Sequence, residues 1–447
     1  MAVVKLKKGE GRTIKAGGAW IFDNEIDVVM GEAVNGTLVQ VVDFDDYPMG
    51  SGFYNANSKI VIRMLTRKKD QEINWEFIKE RVSTAYEYRK VVMGEDFSAC
   101  RILFGEADFL PGLVVDRYEN VLVVESLAMG IDCLKRSILR ALLECFSRDG
   151  ITMEAVYERS DAPVRKKEGM NCVKGILPLS WILDTSLGLW DQYDPETRSL
   201  KSFVGVVPTK AEEDIVNQPV EIVENGVHYL VDVICGQKTG FFLDQKYNRK
   251  AMQELCRNYA KDPVTKQMRP MRVLDCFTHM GTFALNCGLA GACDVTGLDI
   301  SEFAVGQATA NAKRNGLENQ VKFRTANVLD ELPRLYEAGE KFDVVILDPP
   351  AFTKSREATK NAIKGYREIN MKGLKLVKDG GYLASCSCSH FMTQELLTKT
   401  IQEAAKAVHK RIRQIEFRTQ APDHPILWAA DESYYLKFFI FQVVDEK

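Results

Sequence analysis

Three stretches of this sequence carry residues that could do chemistry, and the most reactive is YLASCSCSHFM at 382–392. Its first part reads as an apolar strand over 381–388. Cys386 and Cys388 lie two residues apart, so on a strand they point to the same side. Cys388 is nearer the strand end, where ligands of open α/β sheets bind. A free cysteine is most often a small buried hydrophobe, and Cys100, Cys133, Cys145, Cys172, Cys235 and Cys256 read that way. Cys388 reads differently, because a second buried strand, Asp343 to Leu347, delivers Asp348, Pro349 and Pro350 to the same sheet edge. The prolines fix φ and leave no amide donor, so Asp348 is rigidly placed. A carboxylate held in this way suits gripping a flat base by its Watson–Crick edge, with Pro349, Pro350 and Phe352 as the expected substrate contacts. The plain alternative is a Pro-Pro strand terminator. A thiolate beside such a grip has a specific use. Added to C6 of a pyrimidine, it makes C5 enamine-like and able to attack a methyl donor; a base then removes the C5 proton and the thiolate leaves.

The donor is suggested by the third stretch, VLDCFTHMGTFALNCGLAGACDVTGLD at 273–299. Val273 to Cys276 reads as a buried parallel strand, Phe277 to Gly281 as a turn, Thr282 to Leu289 as a helix, and Val295 to Leu298 as a second strand ending on Asp299. An acid about 20 residues after the turn is placed for the hydroxyls of a ribose. A dinucleotide site would want G-x-G-x-x-G to cradle a pyrophosphate, and only Gly281 is present, as a point where backbone can approach a ligand. A ribose without a phosphate fits better, which points to S-adenosylmethionine (SAM). Another nucleotide, or an ordinary crossover without a ligand, are the alternatives. The expected cofactor residues here are Asp275, Phe277, Thr278, Gly281, Asp299 and Ile300, with Asp348 from the neighbouring strand. The polar groups of CGQKTGFFLDQKYNRK (235–250) add a cofactor edge at Phe241, Phe242, Asp244, Gln245 and Arg249; packing alone would also explain its aromatics.

The elements that must hold these residues follow from the rest of the chain. At 447 residues it needs two or three domains. A hydrophobic content of 46% with 27% charged residues describes a soluble globular protein. No run approaches about 18 apolar residues, so no membrane span is expected. The start, MAVVKLKKGE, lacks the apolar centre of a signal peptide, so the expected location is the cytoplasm. Eleven scattered cysteines without a C-x-x-C pair indicate neither a disulfide framework nor a zinc ribbon, and no metal is expected. A net charge of −3 neither announces nor excludes nucleic acid, which needs only a local basic face. Residues 1–70 read as a small β-rich domain with basic clusters at Lys5, Lys7, Lys8, Arg12 and Lys15 and at Arg63, Arg67, Lys68 and Lys69. These are either solvated charge or an RNA-contacting face. Residues 75–180 read as an α+β middle domain, with a polar basic stretch around Arg159, Arg165, Lys166 and Lys167; 183–219 as a linker or insertion; and 220–447 as a Rossmann-like, doubly wound sheet with an antiparallel end. The fold class is therefore α/β, preceded by a small β barrel and an α+β domain.

LKKGEGRTIKAGGAWIFDNEI (6–26) resembles the start of a PUA domain, a small RNA-binding pseudo-barrel. VYERSDAPVRKKEG, KTGFFLDQKYNR, LDCFTHMGTFAL, FDVVILDPPAF, GYREIN, SCSHFM and APDHPI follow in order across 156–426. Together they resemble the RlmI-like class I SAM-dependent methyltransferases, which make 5-methylcytosine in large-subunit ribosomal RNA and also carry a PUA domain and a middle domain. The resemblance implies Cys388 as nucleophile, Asp348 holding the base, and SAM contacts at Phe241, Gln245, Arg249, Phe277, Thr278, Gly281, Asp299, Asn327 and Val328. It implies RNA as partner; the chain could also pair as a homodimer. There are two departures. Residues 183–219 look inserted, and His390 stands where a glycine is expected. Methyltransferases acting on exocyclic amines commonly place an aromatic directly after Asp-Pro-Pro, and here that place is Ala351. Uracil-C5 or base-amine methylation, or a non-catalytic RNA-binding assembly factor that retains SAM, are the rival readings.

Overall fold

A computed structural model describes residues 1–194, 196, 199–203, 205–261, 267, 269–353, 355 and 357–445. The chain forms two compact units. One comprises Met1–Ile222, Val231–Leu243 and Pro422–Ser433; the other comprises Val223–Leu230, Asp244–Ala421 and Tyr434–Lys447. Three stretches of the expected 220–447 domain, 220–222, 231–243 and 422–433, thus cluster with the first unit. Among the described residues no helix is long and apolar enough to cross a membrane.

The first unit begins with a six-stranded sheet in the order Trp20–Phe22, Ile60–Thr66, Pro48–Tyr54, Leu38–Val42, Val3–Leu6, Ile26–Met30. Alternate residues of its strands, among them Val4, Leu6, Val39, Val41 and Ile62, fill a core closed by Ile14 and Ile21. A five-stranded sheet follows, flanked by helices Trp75–Met93 and Met129–Arg148. The 183–219 segment, expected as a linker or insertion, contains a helix, Lys210–Val216, capped by Thr209 and Glu212; Pro195 in this segment lies outside the described residues.

Several charges that the sequence offers to solvent or RNA are buried here instead. Arg63 donates to Glu168 at 2.8 Å. Arg165 reaches Asp132 at 3.3 Å and the carbonyl of Ser126 at 2.6 Å. Arg159 ties down the carbonyls of Val233 and Gly236. At the surface, half-buried Lys5 and exposed Lys15 pair with Asp46 and Asp43. A buried guanidinium needs a partner to offset its desolvation, and in each case the partner is remote in sequence.

The second unit is built on seven strands: β1 Arg272–Cys276, β2 Asp294–Asp299, β3 Val321–Thr325, β4 Phe342–Leu347, β5 Val377–Ser387, β6 Lys410–Arg418 and β7 Lys437–Asp445. Their order is β3-β2-β1-β4-β5-β7-β6. β1 to β5 run parallel, and β7 is antiparallel to both β5 and β6. Helices α1 Lys246–Ala260, α2 Thr282–Leu289, α3 Glu302–Arg314, α4 Val328–Glu337, α5 Thr359–Leu376 and α6 Gln394–Ala407 make the connections. The central strands are apolar on both faces: Val273, Leu274, Cys276, Val344, Val345, Ile346 and Leu347 have no exposure. That is why they read as continuous apolar runs rather than alternating ones. Strand order reverses between β1 and β4, which makes the carboxyl ends of those two strands the switch point where open α/β sheets take ligands.

Candidate active site

The turn after β1 is held by its own acids. Asp275 accepts from Thr278 Oγ1 at 2.5 Å and from the amide of Ala284 at 3.0 Å. Phe277 and His279 sit at φ 65° and 51°, left-handed values that residues with a side chain rarely adopt. The amide of His279 donates to Asp299 Oδ2 at 2.9 Å, which stabilises that conformation and ties the end of β2 to the turn. Asp299 Oδ1 accepts from Ser301. Both oxygens of this expected ribose acceptor therefore already carry one amide, each with a lone pair remaining. Gly281 has φ 84° and caps α2. A Cβ there would meet Phe323 Cζ at 2.5 Å, so close packing against β3 is reason enough for glycine.

A second cluster joins the ends of β4 and β5. Gln245 Nε2 donates to Asp348 Oδ2 at 3.1 Å and to Cys386 Sγ at 3.2 Å, while its carbonyl accepts from Asn248 at 2.7 Å. Asp244 accepts from Tyr435 at 2.7 Å. Gln245 is thus a strut between two strands, a role the sequence did not disclose. Burial pushes the Asp348 carboxyl up to about 6, with the charge of Asp244 adding to the shift and the bonds from Cys386 and Gln245 opposing it. Burial likewise pushes Asp275 up to about 7, despite the Thr278 and Ala284 bonds. Asp244 Oδ1 and Asp275 Oδ1 are buried acceptors with no hydrogen-bond partner among the described residues. Unsatisfied carboxylate oxygens at a switch point call for a ligand that brings positive charge and donors. SAM carries an ammonium, a sulfonium and ribose hydroxyls, so these residues fit it.

The other expected site residues are distributed as follows. Arg249 is 1% exposed and forks onto Glu224 at 2.5 and 2.8 Å. Asn327 caps α4 through its side chain, Val328 is buried behind it, and Ile300 is 73% exposed. Phe241 and Phe242 belong to the first unit, where the Phe241 amide donates to Tyr118. Pro349 is buried and Pro350 exposed. Phe352 packs on Tyr366 with ring centres 4.7 Å apart, so much of its surface is spent on the core.

The cysteine stretch is braced on both sides. Cys386 is buried on β5, its thiol raised well above the ordinary value by burial and by the Asp348 charge. Cys388 lies just past the end of β5 and keeps partial exposure. Its two serine neighbours are both tied down: Ser387 donates to Tyr366 Oη at 2.9 Å, and Ser389 to the carbonyl of Thr353 at 2.9 Å. His390 Nδ1 lies 3.4 Å from the carbonyl of Tyr434. Lys437 donates to the carbonyls of Ser389 at 2.6 Å and Tyr435 at 2.9 Å. Tyr366 was present in the sequence as part of GYREIN, without a role; Lys437 carried no signal beyond being a lone charge in an apolar strand.

Comparison with known proteins bears on both units. The profile of a PUA-like domain matches residues 4–67, and that of a methyltransferase domain matches 268–439. Proteins named ribosomal RNA large subunit methyltransferase I are similar over nearly the whole chain. The one from Alteromonas mediterranea is 33% identical, covering 100% of both chains. Those from Shewanella frigidimarina and Photobacterium profundum are each 34% identical, covering 98% of this chain and 99% and 98% of theirs. Among solved structures, a putative SAM-dependent methyltransferase from Streptococcus mutans superposes with a TM-score of 0.74 at 18% identity, over 99% of this chain and 100% of that one. A second, SMU.776, a putative methyltransferase complexed with SAH, gives the same TM-score, identity and coverage. At that identity these two show the fold.

The carboxylate pattern makes a prediction about SAM binding. Asp299→Ala removes a charge-assisted acceptor worth about 1.5–3 kcal/mol, so calorimetry should show SAM bound roughly ten- to a hundredfold more weakly. Asp275, with its folded value near 7, must be ionised to meet a cationic ligand. Affinity should therefore rise as pH rises through about 7, and the part due to Asp275 should vanish in Asp275→Asn. Identical pH profiles for wild type and Asp275→Asn would remove that residue from the cofactor site.

Proposed function

The chain belongs to the ribosomal RNA large subunit methyltransferase I family, and from that premise we propose that it transfers a methyl group from SAM to C5 of a cytosine in large-subunit ribosomal RNA. It is a SAM-dependent RNA methyltransferase; the target atom and the covalent route are our reading. The observation that carries it is Cys388: a partly exposed thiol just beyond β5, between two anchored serines, at the sheet edge that also holds Asp348. Bound SAM supplies an electrophilic methyl group. The protein's residues supply the rest. Asp348, held by Gln245, accepts from the edge of the base and fixes its plane. The Cys388 thiolate adds to C6, so that C5 gains the electron density to take the methyl group. A base then takes the C5 proton as the C6–S bond breaks, which releases the thiolate and restores the ring. Cys386 is a structural neighbour, since a thiol raised by burial is a poor nucleophile. The base must leave any stack to reach this edge, so a loop or melted RNA is favoured.

RNA contact by the first unit is the second part of the reading. A cleft of about 1050 Å³ there is lined by Phe22, Lys59, Lys166 and Lys167, with the Arg63–Glu168 pair in its wall. Phe22 is 40% exposed and offers a ring for stacking, while the three lysines are exposed. Aromatic and basic side chains in one groove suit single-stranded RNA. Replacing the three lysines by alanine should weaken RNA binding and flatten its log–log salt dependence by roughly 2 units, at about 0.7 per lost phosphate contact. SAM affinity should not change. Unaltered RNA binding at several salt concentrations would exclude this cleft.

The covalent route is tested with RNA carrying 5-fluorocytosine, whose fluorine cannot leave as a proton and so traps the adduct. Cys388→Ala should abolish both trapping and methyl transfer while keeping SAM binding; Cys386→Ala should keep most of both. A trapped complex that survives Cys388→Ala and disappears in Cys386→Ala would reverse the assignment. No trapping by the intact protein, on an RNA it methylates, would indicate a base-amine reaction.

A further inference from the structure

Lys437 is a lysine in the wrong place for an ordinary surface charge. It begins β7, opposite Ser387 in the β5–β7 register, and is followed by Phe438, Phe439, Ile440 and Phe441. It is 1% exposed. Among the described residues its ammonium has no carboxylate partner; it donates to two neutral carbonyls, Ser389 and Tyr435. Burying a cation against neutral acceptors alone is costly, and most chains avoid it by using an apolar residue or supplying an acid. The carbonyl of Ser389 belongs to the residue directly after Cys388, so the ammonium sits at the nucleophile's own loop.

We propose that Lys437 is a positioning residue that holds Cys388 as a thiolate and fixes the loop that presents it. This rests on Cys388 being the nucleophile. The thiol proton leaves to solvent through the exposed side of Cys388, and the ammonium remains as counter-charge. The S–C6 bond then forms from a thiolate already present, and the same thiolate is regenerated when that bond breaks.

The charges around the loop favour this division of labour. From β4, Asp348 bonds Cys386 and disfavours its ionisation. From α5, Tyr366 is neutral, its phenol raised by burial above its ordinary value. The Tyr434 ring lies 5.4 Å from the Lys437 nitrogen, and His390 reaches the Tyr434 carbonyl rather than an acid. Burial lowers the lysine to about 8, while the two thiols, Cys386 and Cys388, act in the opposite direction. A cation that is costly to bury alone is thus stabilised when a thiolate forms beside it.

The test is the pH profile of alkylation by iodoacetamide, on full-length protein without RNA, with Cys388 resolved from Cys386 by tandem mass spectrometry. In the wild type, Cys388 should react with a midpoint clearly below that of an ordinary thiol, about 8.5. Lys437→Gln should slow its alkylation at pH 7 about tenfold and move the midpoint up by about one unit, a tenfold change per unit. Lys437→Arg should recover part of the rate, since it restores charge. SAM binding by calorimetry certifies that the variants are folded. An unchanged profile in a SAM-binding Lys437→Gln protein overturns the proposal. So does a wild-type midpoint near 8.5, whether or not any variant folds. If alkylation is indifferent to Lys437 while Cys388→Ala still abolishes the trapped adduct, only this inference fails. If the adduct survives Cys388→Ala, the nucleophile assignment fails and takes this inference with it.

Discussion

Placing desolvated carboxylates at the ends of β1 and β4 is the constraint on which the rest of the site depends. Asp275, fully buried, and Asp348, half-buried, are raised to about 7 and about 6 by desolvation. Asp244 and Asp275 each retain an oxygen without a hydrogen-bond partner among the described residues. Each such group costs about 1–3 kcal/mol in the folded protein, and a sequence selected for stability alone would remove them. The apolar strands around them supply the compensation: β1 and β4 are buried on both faces, and Phe438 to Phe441 pack β7 against β5. The sheet is stable enough to carry a polar edge that only a cationic, donor-rich ligand can satisfy.

The same edge solves a placement problem. A cysteine on a loop needs a fixed position to act. Anchoring Ser387 to Tyr366 and Ser389 to Thr353 braces the backbone on both sides of Cys388. Gln245 links the ends of β4 and β5, so that Asp348 and the cysteine stretch share one framework. Two cysteines two residues apart can then differ in kind. The strand buries Cys386, and the end of the strand leaves Cys388 partly open.

Much of this was legible in the sequence, for a physical reason. Parallel strands covered on both faces must be continuous apolar runs, so β1, β2 and β4 could be located within a residue or so, and helix α2 occupies Thr282–Leu289 as its spacing indicates. The antiparallel end was also readable, because β7 is an aromatic-rich run. Charges were less legible. Arg63 read as solvated charge or an RNA contact, Arg165 as part of a polar basic stretch and Arg249 as a cofactor contact, yet each is buried against an acid 105, 33 or 25 residues away. No local pattern discloses such a partner. Lys437 was missed for the same reason: its acceptor at Ser389 lies 48 residues earlier. Gly281 was read as a point where backbone can approach a ligand; close packing against Phe323 from β3 is a second reason for glycine there that no local pattern discloses.

The central claim, that this sheet edge methylates carbon 5 of a ribosomal cytosine, is tested most directly on the RNA itself. Large-subunit ribosomal RNA from cells with and without this gene can be digested and mapped by tandem mass spectrometry, which separates ring-carbon from amine methylation. The account predicts one cytosine that carries a C5 methyl group only when the gene is present, and loses it when Cys388 is replaced by alanine. A gene-dependent methyl group on an exocyclic amine or on uracil, or no gene-dependent methylation at all, would contradict it.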